Sequence, residues 1–410
     1  MRRILKRFTG LFCVLALCLS MLPVSALAAE DAPSNQPTTL LSDDNVAKIE
    51  ENEYPTLDEA VNAAEDGATI ELLADATTKG WNLSKSLTIT SAPDLAEKPT
   101  VTFEKDGIAL WGKTLTFKGI DVVMNGVGST PYGEWTWMTI CASKDAVLAL
   151  DNVNMTMDAT GSTGSPHAIY FCSNNKLNLT NGSVLTIKNY PNDALEWDGG
   201  DGGYNVNITN STFISDHNRS GFTGTFYATI TNSKVDVVNS LGNGSNGSHF
   251  IIEDSEVNFN NNGSHGLSAG ELSIDNSTVN TKNNNGMGIT VNNAFTVENG
   301  SIVTVTGNAG NSSYGYAAVR LYNDYPFTVD STSELYIEDN NNTGLYVRQG
   351  NLTVEDGAVL KITGNKVSHS LLDSYGGGIY VGYGNNYDPT VILPASPESS
   401  NKILRISSRS

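Results

Sequence analysis

Asn207-Ile208-Thr209-Asn210-Ser211-Thr212-Phe213 and Thr229-Ile230-Thr231-Asn232-Ser233-Lys234-Val235-Asp236-Val237 carry one pattern twice. In each, apolar and polar residues alternate on both sides of a short polar turn. That period is two rather than 3.6, so each copy predicts two strands. With the second apolar position as anchor, copies recur at Ile89, Phe117, Leu150, Leu179, Ile208, Ile230, Ile252, Ile274, Val297, Val329 and Val354. The steps are 28, 33, 29, 29, 22, 22, 22, 23, 32 and 25 residues. A repeat in the range of about 20 to 50 residues signals a solenoid.

A third strand closes each unit after a small residue, as at Ala168-Ile169, Ala194-Leu195, Gly221-Phe222, Gly266-Leu267, Gly288-Ile289, Gly344-Leu345 and Gly378-Ile379. Three short strands per unit describe an all-β chain wound as a parallel β-helix of about 11 or more coils. The Leu-x-x-Leu-x-Leu consensus of leucine-rich repeats is absent, and a propeller blade needs about 40 residues.

This repeat decides between two readings of the composition. The 410 residues include 39 Gly and 45 Asn, a load that signals disorder or a structure made largely of turns. Two positions after the anchor stand Asn152, Asn181, Asn210, Asn232, Asp254, Asn276, Asn299 and, in the last unit, Asp356. Asn and Asp tolerate the left-handed turn conformation, so stacked copies form a side-chain ladder. The Asn-x-Ser/Thr sequons at Asn210, Asn276 and Asn299 coincide with these positions and belong to the turns. A formal net charge of −20 excludes nucleic acid as the default partner.

Met1–Arg7 is basic, Leu11–Leu22 is apolar, and Ala26-Leu27-Ala28 offers a small-residue cleavage position, the three parts of a secretory signal peptide. Leu17 before Cys18 disfavours a lipoprotein. Cleavage near Ala28 removes four cations and no anion, leaving a mature charge of −24, and predicts a secreted or cell-surface protein. No later apolar stretch reaches the length of about 20 residues that spans a membrane. The expected organisation is signal peptide 1–28, disordered linker 29–53, N-terminal cap and first strand 54–85, and β-helix 86–410. The stop at Ser410 after Ile403-Leu404-Arg405-Ile406 leaves that end uncapped, as in a fragment of a longer surface protein or one whose end a partner covers.

Leu57-Asp58-Glu59-Ala60-Val61-Asn62-Ala63-Ala64 has helical spacing, and Gly67-Ala68-Thr69-Ile70-Glu71-Leu72 then enters a strand. With these residues the sequence resembles the right-handed β-helix superfamily of pectate-lyase-like proteins. The helix–strand match spans Thr56 to Leu73, and the coils extend the resemblance over roughly four-fifths of the chain. The resemblance implies a right-handed helix capped at its N-terminal end. For function it implies either a polysaccharide lyase or glycoside hydrolase acting on the outer face, or an adhesin-like binding scaffold. Lyases of this kind hold calcium on carboxylates and use Lys or Arg as base; the hydrolases use paired carboxylates.

The hydrolase motifs of that family are incomplete here and out of order: Asn280-Thr281-Lys282, Ser264-His265-Gly266 and Arg405-Ile406-Ser407. His265 therefore reads as an exposed turn histidine, no catalytic residue is assigned, and a binding scaffold for a polysaccharide or another surface partner is the favoured reading. Three groups remain as candidates. Asp193, Glu196, Asp198 and Asp201 surround a Gly-rich loop whose oxygens suit Ca²⁺, or form a solvated acidic turn. Tyr132, Trp135 and Trp137, in the loop of the 33-residue coil, either stack on sugar rings or fold over the coil. Arg320 and Arg348 follow equivalent third-strand residues and either bind an acidic sugar or are solvated beside Tyr322 and Tyr346. Cys141 and Cys172 occupy nearly equivalent places in neighbouring coils, which suits a disulfide or a reduced stack.

Overall fold

The computed structural model describes residues 45–131, 137–197, 203–247, 249–309, 317–366, 378–381 and 391–392; the expected signal peptide lies outside them. These residues form a parallel β-solenoid with three faces. The first is a 15-stranded sheet, the second a 12-stranded sheet, and the third a seven-stranded sheet followed by a five-stranded one. Backbone bonds from Ser245 N to Gly266 O at 2.9 Å and from Gly247 N to Ser268 O at 3.2 Å carry the stack across that join. The single helix is Leu57–Ala63. Among the described residues no helix is long and apolar enough to cross a membrane.

The register follows the repeat. On the first face Ile89 pairs with Phe117, Phe117 with Leu150, Leu150 with Leu179, Leu179 with Ile208 and Ile208 with Ile230. Ile252, Ile274, Val297, Val329 and Val354 continue the row. These anchors are buried and line one core shared by all turns. Because strand side chains alternate, fixing the anchors inward fixes every outward residue as well. Aromatic rings stack within that core, Phe171 on Tyr204 at 4.5 Å and Phe295 on Phe327 at 4.7 Å between centroids.

The N-terminal end departs from expectation. Within the stretch read as disordered linker, Ala47–Ile49 and Asn52–Tyr54 form an antiparallel hairpin that pairs with Ala68–Leu72. The open edge of that first strand supplies the backbone partners that a polar segment needs in order to become ordered. Glu50 takes a left-handed turn, φ 53°, and Lys48 meets Glu71 at 3.0 Å. Thr56 caps the following helix by accepting from Glu59 N at 3.2 Å. The helix buries Leu57, Ala60 and Val61, and its Asp58 accepts from Trp81 Nε1 at 3.1 Å.

Two turns hold each coil, and each carries its own ladder. After the first strand, Asn152, Asn181, Asn210, Asn232, Asp254, Asn276 and Asn299 all have φ between 44° and 58°. Asn232 donates to Asn210 Oδ1 at 2.5 Å, and Asn276 to Asp254 Oδ1 at 2.5 Å. In the last unit Gly357, with φ 103°, takes the left-handed position expected at Asp356. After Asn210, Asn232, Asp254 and Asn276 the next residue is a buried serine, and Ser233, Ser255 and Ser277 each accept from the backbone N–H one coil back, at 2.9–3.0 Å.

The second turn holds a deeper ladder that the exposed-turn reading does not anticipate. Asn262, Asn284, Asn308 and Asn340 are at most 1% exposed. The Oδ1 of Asn308 accepts from both the backbone and the side chain of Asn284, at 3.1 and 2.9 Å. Its Nδ2 donates to Thr281 O and Asn340 Oδ1, both at 2.9 Å. This ladder accounts for Gly266 and Gly288, which open two of the third strands. A Cβ on Gly288 would lie 2.8 Å from Asn308 Nδ2 and 2.4 Å from a Val305 methyl, and one on Gly266 would lie 2.6 Å from Asn284 Nδ2. Only glycine leaves room there for the amide.

Asn308→Ala strands several buried donors and acceptors at about 1–3 kcal/mol each. It should cost about 3 kcal/mol in denaturant unfolding. Asn232→Ala loses a solvated contact and a left-handed preference, about 1 kcal/mol. Equal losses would contradict the division into a buried and an exposed ladder.

Asp158 joins the second turn at the other end of the stack. Partial burial would raise its carboxyl, but bonds from Asn189 Nδ2 at 2.9 Å and from Thr160, with Lys188 at 3.2 Å, outweigh it and hold the group down to about 2. A depressed carboxylate contributes stability that is complete above its unfolded value, about 3.9, and lost as pH falls through the folded one. Asp158→Asn should therefore lower the melting temperature at pH 7 by a small amount, since its partners Asn189 and Lys188 are themselves exposed or partly exposed and screened by water. That difference should vanish below about pH 2.

Candidate functional site

The third face carries the candidate residues because its outward positions form a continuous row. Cys141 pairs with Tyr170, Tyr170 with Glu196, Glu196 with Thr223 and Thr223 with Asn246. Beyond the join, Ser268 pairs with Thr290, Thr290 with Arg320, Arg320 with Tyr346 and Tyr346 with Tyr380. The row is aromatic and acidic at one end, hydroxyl- and amide-bearing in the middle, and aromatic and basic at the other end.

At the first end a small apolar cluster lies apart from the main core. Met138, Cys141 and Tyr170 are at most 2% exposed, with Trp111 and Cys172 packed on them. Trp137, 38% exposed, meets Tyr170 edge-on at 4.7 Å and His167 at 5.6 Å. His167 Nδ1 and Glu196 Oε2 are in direct contact. His167 and Asp193 each precede the small residue that opens a third strand, and Ala168 N donates to Asp193 O at 3.1 Å. The ligating atoms of His167, Asp193 and Glu196 all lie within 4.8 Å of one another.

Asp193 is buried, and neither of its oxygens has a hydrogen-bond partner of normal geometry. Burial raises its carboxyl above the ordinary range and Glu196 adds to the shift; Arg219, Ser220 and His167 act in the opposite direction. Arg219 Nε is 3.9 Å from Asp193 Oδ1, beyond hydrogen-bonding distance. Behind the site, burial first and then the Asp193 and Glu196 charges push the Tyr204 hydroxyl well up, keeping it neutral.

At the other end the guanidinium of Arg320 lies 4.3 Å from the Tyr322 ring centre and 5.8 Å from that of Tyr346. Arg348 lies 4.2 Å from the same Tyr322 ring, and Tyr346 and Tyr380 are 5.2 Å apart. Two cations thus share one tyrosine, a geometry that keeps guanidinium edges pre-positioned for an anion. His265 is half-buried; burial and then Arg320 lower its pKa, and its Nδ1 accepts from Met287 N at 3.0 Å. That bond serves the turn, as the sequence predicts, although the side chain is less exposed than expected.

Of the sequence candidates, the structure thus brings Asp193 and Glu196 together, places Trp137 beside them, and joins Arg320 to Arg348 through Tyr322. Tyr132, Trp135, Asp198 and Asp201 lie outside the described residues. His167 and Arg219 were missed. Their signal was positional: His167 stands one residue before Ala168, as Asp193 stands before Ala194.

The cysteine stack is corrected. Cys141 pairs with Tyr170 and Ala142 with Phe171, so Cys172 lies two positions further along the chain than an in-register stack requires, and the two cysteines form no disulfide. The register is set by the buried Ile140–Ile169 pair, which counting from the anchors did not capture.

A concavity of about 510 Å³ follows the first turn, lined by the ladder residues Asn232, Asp254 and Asn276 with Lys234 and by no aromatic ring. Comparison of the chain with protein-family models, with curated proteins and with solved structures gives no match.

The neighbouring Cys172 and burial together push the Cys141 thiol up, so it stays protonated and unreactive at neutral pH. A thiol reagent on native protein should label Cys172 first and reach Cys141 only on unfolding. Finding no reactive thiol even after unfolding would overturn the assignment of two thiols without a disulfide.

Proposed function

We propose that this protein is an exported binding scaffold whose third face holds an extended glycan, in the manner of adhesin-like members of the pectate-lyase-like β-helices. The observation that carries this reading is the outward row itself. From Tyr170 it takes six strand steps to reach Arg320, about 29 Å at about 4.8 Å per strand. Trp137 at one end and Tyr322 and Tyr380 at the other offer stacking surfaces, Asn246 and Ser268 between them offer hydrogen bonds to hydroxyls, and Arg320 with Arg348 suits a carboxylate or sulfate. The basic pair is a local exception on an acidic chain, so an acidic sugar would be received at that end. The signal-peptide pattern of Met1–Ala28 supports export to the cell surface or medium.

A second reading is a polysaccharide lyase or glycoside hydrolase. The pair Asp193 and Glu196 favours it, because one carboxyl pushed up beside a charged neighbour is the arrangement of an acid–base couple. A glycan array with the mature protein separates the two. Binding without product release supports the scaffold; new reducing ends or unsaturated uronate ends in the incubated glycan would replace it with the enzyme. Exchanging Arg320 and Arg348 together for Gln should weaken binding of uronate-bearing glycans by about tenfold or more, from the loss of charge-assisted bonds. Trp137→Ala should weaken neutral and acidic glycans alike.

A further inference from the structure

We propose that His167, Asp193 and Glu196 form a binding site for one divalent transition-metal ion. Their ligating atoms converge within 4.8 Å from two adjacent coils. The backbone that carries them is fixed by strand bonds, Ala168 N to Asp193 O at 3.1 Å and Ile169 N to Ala194 O at 3.0 Å. Rigid strands hold a ligand set more closely than a Gly-rich loop does.

The second observation is Asp193 itself. Its side chain is 1% exposed and neither oxygen has a normal hydrogen-bond partner. A buried carboxylate whose donors, Ser220 and Arg219, stand outside normal hydrogen-bond geometry is costly, and a cation at the convergence point satisfies it directly. Arg219 does not do so, standing 3.9 Å away with its own side chain 57% exposed.

The donor set selects the kind of ion. One imidazole nitrogen with two carboxylates suits Zn²⁺ and its first-row neighbours, whereas Ca²⁺ takes oxygen ligands alone. His167 therefore moves the preference away from the calcium expected of an all-acidic loop. The ion would replace the direct His167–Glu196 contact. The Trp137 and Tyr170 rings flank the imidazole at 5.6 and 5.8 Å, shielding it in part from water. The proposal does not depend on the glycan reading.

Calorimetric titration of the protein, prepared without a polyhistidine tag and stripped with a chelator, tests it with Zn²⁺ and, separately, Ca²⁺. One Zn²⁺ site is expected, at least about 100-fold tighter than any Ca²⁺ binding. His167→Gln and Asp193→Asn should each weaken it by about 100-fold or more, beyond the 10–100-fold typical of an outer-shell change. His249→Gln, at the separate His249–Glu271 pair, should leave it unchanged. Absence of a Zn²⁺ site, Zn²⁺ binding that survives both substitutions, or Ca²⁺ binding as tight as Zn²⁺ and indifferent to His167→Gln would each overturn the proposal. Melting curves guard against misfolding: Asp193→Asn should melt no earlier than the metal-free wild type and should lose the rise that Zn²⁺ gives it.

Discussion

A buried amide that bonds both ways along the axis is the constraint on which this solenoid rests. Each turn of a parallel coil must bury backbone N–H and C=O groups that no strand partner reaches. Asn262, Asn284, Asn308 and Asn340 solve this by offering a donor and an acceptor at once, so each of these coils completes the one before it. Serines at the other turn do the same with a hydroxyl. Gly266 and Gly288 follow from the amides, since a methyl group there would meet Asn284 and Asn308. Apolar anchors then need only fill a thin core between two polar spines.

Much of this was legible in the chain. The row Ile208, Ile230, Ile252 and Ile274 gave strand, register and inward face at once, because a parallel pairing set by buried residues allows no slip. The exposed Asn ladder was readable from its turn chemistry. The buried one was not, because an asparagine under the surface looks in sequence like any other in an Asn-rich turn; only the packing around Gly266 and Gly288 distinguishes it. The hairpin at Ala47–Tyr54 was hidden for a related reason. Its order is borrowed from the edge of Ala68–Leu72, and its own composition carries no trace of that.

The candidate site divides in the same way. Arg320, Arg348, Asp193 and Glu196 stood out as rare or dense charges. His167 did not, because its neighbours in space are one coil away and their spacing depends on loops of unequal length. The same uneven loops misplaced Cys172 by two positions against Cys141. Side chains that meet across coils are found by counting from the nearest buried pair, here Ile140 and Ile169, and not from a distant anchor.

The antiparallel hairpin at the N-terminal end has a consequence for how copies of this molecule meet. A stack of parallel strands presents at each end a row of unsatisfied backbone groups that welcomes another copy in the same direction. Here Ala47–Ile49 runs against the grain of the first face, and the strand outside it, Asn52–Tyr54, is only three residues long and lies beside a charged turn at Glu50 and Glu51. A neighbour's edge finds only three residues to pair with, flanked by two like charges, so this end works against filament growth.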